Sequence, residues 1–87
     1  MNAVREVILS DTVDMMNSED YKERFKAEYL QLRIRMRGLD RMLRSYKEGT
    51  LTFKPSCTYD LLNAQLKAMD LYASFLMERA IVEGIKL

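Results

Sequence analysis

The fold of this chain is decided by residues 25–46, FKAEYLQLRIRMRGLDRMLRSY. Apolar side chains recur through this stretch at alternating spacings of four and three residues. The set consists of Phe25, Tyr29, Leu32, Met36, Leu39, Leu43 and Tyr46. A period of about 3.5 residues is typical of a helix that packs lengthwise against another helix. We therefore predict a long amphipathic helix that needs a helical partner.

Start and stop signals place this helix at about residues 18–48 and its partner at about residues 58–83. Ser18 is followed by acidic residues, which favour a helix N-terminus, and Gly49 is a natural C-terminal stop. Pro55 forces the residue before it out of helical geometry, and Thr58 can cap the next helix. The predicted fold is all-α, a long antiparallel helical hairpin over residues 18–87. Residues 1–17 are predicted to form a short N-terminal helix or arm.

The arm has two readings that the sequence leaves open. Val4, Val7 and Ile8 stand at helical spacing and predict a short amphipathic helix within residues 1–9. That helix either covers its own hairpin or docks on another subunit.

The second long helix carries two apolar seams, whereas a surface helix needs only one. The first seam is Leu62, Leu66, Met69, Ala73, Leu76 and Ala80. The second seam is Leu61, Ala68, Tyr72, Phe75 and Val82. A single core in a domain this small supplies only about 3–5 kcal/mol. The lone Cys57 and the lack of histidine exclude an internal disulfide and the usual cysteine–histidine zinc sites. We therefore predict a homo-oligomeric helical bundle.

Composition argues against catalysis and against a membrane. Without histidine there is no imidazole base, so Ser-His and Cys-His nucleophile pairs cannot form. No glycine-rich phosphate loop is present, and we expect neither an enzyme nor a cofactor. No apolar run approaches the roughly 20 residues that cross a bilayer. The charged residues among 1–16 do not resemble a secretory signal. A single cysteine fits a reducing cytoplasm.

The long helix also carries a basic stripe, although the net charge of the chain is only +1. The stripe consists of Lys26, Arg33, Arg37, Arg41 and Arg44, which project within an arc of about 80°. Arginine suits phosphate oxygens, and tyrosine rings can stack on bases. The alternative is a solvated charged face that pairs with acids on neighbouring subunits.

Three segments resemble a family of small phage and prophage hairpin proteins. They are residues 18–32, SEDYKERFKAEYLQL, residues 49–57, GTLTFKPSC, and residues 78–85, ERAIVEGI. This group is similar, more distantly, to the helical hairpin of phage anti-CBASS and anti-Thoeris sponge proteins. The resemblance implies a homohexamer of interlocked hairpins that sequesters cyclic oligonucleotide or cyclic ADP-ribose-type signals without cleaving them.

The resemblance also implies which residues bind. In the sponges, a tyrosine and a lysine near the start of the long helix hold cyclic dinucleotides at a subunit interface. An arginine of the last helix helps hold cyclic trinucleotides at a separate site. The matching positions are Tyr21, Lys22 or Lys26, and Arg79. This chain departs from the pattern because residues 1–20 contain no aromatic side chain.

The resulting hypothesis is a phage-encoded immune evasion protein that acts in the bacterial cytoplasm. We expect Lys26, Arg33 and Arg37 to contact phosphates, Tyr21 or Tyr29 to stack on a base, and Arg79 to serve a second site. One alternative is a structural or adaptor hairpin without a small ligand. Another is a bundle that binds RNA or DNA along the basic stripe, which the near-zero net charge disfavours.

Overall fold

The computed structural model of the protein describes residues 6–87, and this part of the chain is all-helical. A 3₁₀ turn at Leu9–Thr12 leads into a short helix α1, Val13–Met16. Two long helices follow, α2 at Tyr21–Glu48 and α3 at Tyr59–Glu83. Tyr21 contacts Glu83, and Tyr46 packs edge-on against Tyr59, so α2 and α3 run antiparallel. The predicted all-α helical hairpin is confirmed.

The first long helix begins three residues later than the start signal at Ser18 suggested. The Asp20 side chain caps α2 by accepting a hydrogen bond of 2.9 Å from the Lys22 amide. The Ser18 hydroxyl oxygen instead accepts from the Asp20 amide at 3.0 Å, so it orders the turn before the helix. At the other end Gly49 adopts a left-handed φ of 73°, which glycine reaches without steric cost.

The second long helix ends in a way that anchors the C-terminal residues in the core. Thr58 caps its start by accepting from the Leu61 amide at 3.2 Å. Gly84 ends it with a φ of 69°, and the Ile85 amide turns back to donate to the Ala80 carbonyl at 2.8 Å. Ile85 is consequently buried. This arrangement fixes the direction of the last turn of α3.

The core lies between α2 and α3 and is built from the seams that the sequence predicts. Its buried members are Phe25, Leu32, Met36, Ala73, Leu76, Ala80 and Ile85. Tyr29, Leu66 and Met69 are partly buried and pack against them. The period along α2 thus corresponds to one continuous contact with the first seam of α3.

The N-terminal arm covers the opposite side of α2. Thr12 is fully buried, donates to the Leu9 carbonyl at 2.7 Å and accepts from the Gln31 side chain at 2.9 Å. Ala27 is also buried, although it lies about 200° around α2 from Phe25. Of the helix predicted within residues 1–9, residues 6–8 are not helical, Leu9 begins the 3₁₀ turn, and residues 1–5 lie outside the described residues. In this structure the arm covers its own hairpin.

Within residues 6–87 the second seam of α3 is exposed, although the hydroxyl of its member Tyr72 donates to Glu28 of α2. Phe75 is 56% exposed and Val82 is 86% exposed, and the other members of the seam are exposed as well. The chain exposes 6754 Å², about a quarter more than the roughly 5,300 Å² typical of a monomer of 10.2 kDa. Its radius of gyration of 15.5 Å also exceeds the roughly 12 Å of a compact domain of this length. No helix within residues 6–87 is long and apolar enough to cross a membrane.

Candidate functional site

Three polar side chains meet where the two ends of the hairpin come together. The Tyr21 hydroxyl donates to Glu83 Oε1 at 2.7 Å and accepts from Arg79 Nη2 at 3.0 Å. Arg79 Nε donates to Glu83 Oε2 at 3.2 Å. We call Tyr21, Arg79 and Glu83 the end cluster. It joins the first turn of α2 to the last turns of α3.

Phe25 supports the end cluster from the core side. The Arg79 guanidinium carbon lies 5.0 Å from the centre of the Phe25 ring, within the range of a cation–π contact. Tyr21 meets the same ring edge-on, with 6.2 Å between ring centres. Phe25 is buried, so it provides a fixed surface for both groups. The cationic plane of Arg79 is therefore oriented by an apolar contact as well as by hydrogen bonds.

Lys22 adds a second positive charge beside the end cluster. Its ammonium group donates to the Gly84 carbonyl at 3.4 Å, across the same opening between α2 and α3. Tyr21, Lys22 and Arg79 are all exposed. The structure thus brings together three of the residues that the resemblance implies, although Arg79 lies 58 positions from Tyr21. The resemblance assigns Arg79 to a separate site, whereas the structure places it against Tyr21.

Hydrogen bonding shifts the pKa values of the cluster in opposite directions. The bond from Tyr21, with help from Arg79, holds the pKa of Glu83 below its ordinary value of 4.5. The bond to Glu83 raises the pKa of Tyr21 above its ordinary 10.0. At neutral pH the cluster therefore contains a carboxylate, a guanidinium and a neutral phenol.

These shifts predict how the stability of the chain depends on pH. A lowered carboxyl pKa stabilises the fold above pH ~4.5, and this contribution is lost as the pH falls through the lowered value. A raised phenol pKa stabilises the fold below pH ~10, and this contribution is lost as the pH rises through the raised value. We expect Glu83→Gln to melt a few degrees below the natural chain at neutral pH. The gap should close as the pH falls through the lowered pKa of Glu83 and as it rises through the raised pKa of Tyr21.

Thermal melts of both proteins across this pH range measure the gap. Glu78→Gln removes the same charge from α3 at a side chain without a hydrogen bond or ion pair inside residues 6–87. Its melting temperature should follow that of the natural chain. A gap between Glu83→Gln and the natural chain that stayed constant from neutral pH down to acid would contradict the assignment.

Most of the basic stripe is engaged in ion pairs. Glu6 of the arm pairs with Arg41 at 2.5 Å and with Arg37 at 3.4 Å. Arg37 also donates to the Val7 carbonyl at 3.2 Å. Along α2, Lys26 pairs with Glu23 at 3.2 Å and Arg44 with Asp40 at 3.1 Å. These four cations do pair with acids, but the acids belong to the same chain and not to neighbouring subunits as the alternative expected.

Arg33 is the exception in the stripe. It makes no hydrogen bond or ion pair among residues 6–87, and it lines an open groove of about 400 Å³ between α2 and α3. The other residues that line this groove are Met36, Arg37, Asp40, Leu66, Lys67 and Asp70. Three cations and two acids make its net charge only weakly positive. The groove therefore offers both a free guanidinium and carboxylate acceptors.

Five of the seven predicted site residues fall into two groups. Tyr21, Lys22 and Arg79 lie at the end cluster, while Arg33 and Arg37 line the groove. Tyr29 is half-buried against the core, and Lys26 is held by Glu23. No hydrogen bond or ion pair within the described residues links the two groups.

Sequence reasoning missed Glu83 and Glu6 and saw Phe25 only as a core residue. Glu83 stands four residues after Arg79, a spacing that allows an ion pair on one helix face, so its pairing could have been anticipated. The contacts of Glu6 with Arg37 and Arg41 could not have been anticipated, because these pairs are 31 and 35 positions apart in the sequence.

Comparison with known proteins gives a family but no close relative. A model of the Sequestin family matches residues 19–81. No curated protein and no solved structure matches the chain. The matched segment includes all of α2, the connecting loop and nearly all of α3, so it contains Tyr21 and Arg79. The chain therefore belongs to the Sequestin family.

Proposed function

We propose that this protein binds cyclic oligonucleotide or cyclic ADP-ribose-type signals and sequesters them without cleavage. The observation that carries the proposal is the meeting of Tyr21, Lys22 and Arg79 at the open end of the hairpin. The family name is compatible with a sequestering function. In the bacterial cytoplasm such binding would protect a phage from host defence.

The end cluster and the adjacent Lys22 offer phosphate contacts and a stacking surface for a cyclic nucleotide. Arg79 presents a planar fork of donors, and Lys22 a point charge, for the phosphate oxygens. The exposed Tyr21 ring offers a face on which a base can stack. Arg33 in the groove supplies a further cation for a second ligand or a second phosphate.

The chemistry of the cluster supports binding without cleavage. A general base works best when its pKa lies near the operating pH, and the pKa of Glu83 is lowered, away from neutrality. The chain has no histidine to replace it. We therefore propose a binding protein and not an enzyme.

Self-association completes the proposal. The exposed second seam runs along α3 from Leu61 to Val82, and its natural occupant is the same face of another copy. The net charge of +1 puts little repulsion between copies. We propose a homohexamer in which neighbouring subunits cover the second seam. The excess exposed area of the single chain supports assembly of this kind.

Calorimetric titration with cyclic di-AMP, cyclic GMP-AMP, cyclic tri-AMP and cyclic ADP-ribose tests the proposal. We expect at least one of them to bind, and Arg79→Ala to weaken that binding about tenfold or more. Arg35→Ala is the matched control, because Arg35 is exposed and makes no hydrogen bond or ion pair among residues 6–87. No heat and no thermal shift with any of the four ligands would overturn the proposal.

One observation favours a second candidate, a structural or adaptor hairpin. The arm's Glu6 engages Arg37 and Arg41, so part of the basic stripe fastens the arm to α2. If the arginines serve only this purpose, replacing both Arg33 and Arg37 by alanine changes the melting temperature but no ligand affinity. A weaker affinity of this double variant for any of the four ligands would exclude this candidate.

A further inference from the structure

Glu83 accepts a hydrogen bond from the Arg79 guanidinium, the group that a ligand phosphate would also use. One of its oxygens accepts from the Tyr21 hydroxyl at 2.7 Å, and the other accepts from Arg79 Nε at 3.2 Å. In the free protein a carboxylate therefore neutralises the guanidinium. A phosphate that binds Arg79 must first take the place of this carboxylate.

We propose that Glu83 is an internal competitor for the ligand phosphate, and that its displacement sets the affinity and selectivity of the end cluster. This inference rests on the proposed function, because it concerns the same site. If Glu83 competes with the ligand phosphate, Glu83→Gln should bind the ligand more tightly. If Glu83 instead positions Arg79 for binding, the same variant should bind the ligand more weakly.

The location of Glu83 favours release. It is the last residue of α3, where the helix dipole disfavours a negative charge. About a third of its side chain is exposed, so rotation into solvent requires no rearrangement of the core. The following Gly84 turns the backbone away from the helix.

The cationic partner stays in place when the carboxylate leaves. Arg79 keeps its contact with the buried ring of Phe25, 5.0 Å from the ring centre. Lys22 remains next to the opening through its contact with the Gly84 carbonyl. The site would thus exchange one anion for another without losing its shape.

An internal competitor also explains how the site can reject common anions. The tethered carboxylate has an effective concentration in the millimolar range or above, so a single anion that binds Arg79 weakly does not displace it. A cyclic dinucleotide adds a second phosphate and two bases to the exchange. Selectivity then depends on these additional contacts.

The experiment compares Glu83→Gln with Glu78→Gln by calorimetry, using cyclic di-AMP, cyclic GMP-AMP and inorganic pyrophosphate as probes. Both variants remove one negative charge from α3, but only Glu83 contacts Arg79. We expect Glu83→Gln to bind the cyclic dinucleotides about 2- to 5-fold more tightly than Glu78→Gln does. It should also bind pyrophosphate measurably, so the ratio of dinucleotide to pyrophosphate affinity should fall.

The outcomes separate this inference from the proposed function. If the natural chain binds a dinucleotide but Glu83→Gln binds no more tightly than Glu78→Gln, Glu83 is not a competitor, although sequestration stands. If only Glu83→Gln binds, competition is supported and the natural chain is not a dinucleotide sponge. If no protein binds any of the three probes, the competitor inference is overturned, and the titration with all four signals decides the proposed function separately. A circular dichroism spectrum of each variant verifies that it is folded.

Discussion

In light scattering, Phe75→Asp should have the mass of a single chain, whereas the natural protein should have the mass of several copies. Phe75 lies in the middle of the second seam and is 56% exposed in the single chain. A charge there costs little in a monomer. In an interface it would be buried without a partner, which costs several kcal/mol. Dissociation of the assembly is therefore the expected result.

The matched control is Met77→Asp. Met77 is 49% exposed on the same helix but does not belong to the second seam, so the same new charge should leave the mass unchanged. A natural chain that is already monomeric at micromolar concentration would contradict the proposed assembly. An unchanged mass for Phe75→Asp would show that copies meet through another surface.

Leu76→Ala should unfold much of the protein at temperatures where the natural chain is folded. Leu76 is 1% exposed and belongs to the core between α2 and α3. Removing a buried leucine side chain costs about 2–5 kcal/mol, which approaches the roughly 3–5 kcal/mol that one core of this size supplies. We expect the melting temperature to fall by more than about 10 °C.

Far-ultraviolet circular dichroism during heating measures this loss. All variants should be compared at one protein concentration, because assembly makes the melting temperature depend on concentration. Leu87→Ala, at a side chain that is 47% exposed, is the control and should melt with the natural chain. A melting temperature for Leu76→Ala within a few degrees of the natural value would mean that the core between the two helices does not hold the fold.

The hairpin could be predicted from the sequence because it depends on local rules. The apolar period of residues 25–46 determined which face of α2 is buried, and Gly49 and Gly84 ended the two helices near their expected positions. The helix start was less accurate because Ser18 and Asp20 are both good caps and only the folded geometry selects between them. The path of the arm depends on contacts such as that of Thr12 with Gln31, which no periodicity reveals.

The candidate site could be predicted only in part. The resemblance identified Tyr21, Lys22 and Arg79, but residue spacing alone does not bring residues 58 positions apart together. That meeting requires the antiparallel pairing of the helices in one register. The mixed charge of the groove was equally hidden, because Lys67 and Asp70 come from the opposite helix.

A hairpin is joined covalently at one end only, and in this protein the polypeptide link is the loop between α2 and α3. At the other end, side chains of Tyr21, Arg79 and Glu83 connect the two helices. A small molecule bound by Tyr21 and Arg79 would act as a reversible cross-link between the two helices at the end opposite the loop. It would suppress fraying of the first turn of α2 and the last turn of α3. Ligand binding would therefore also stabilise the fold.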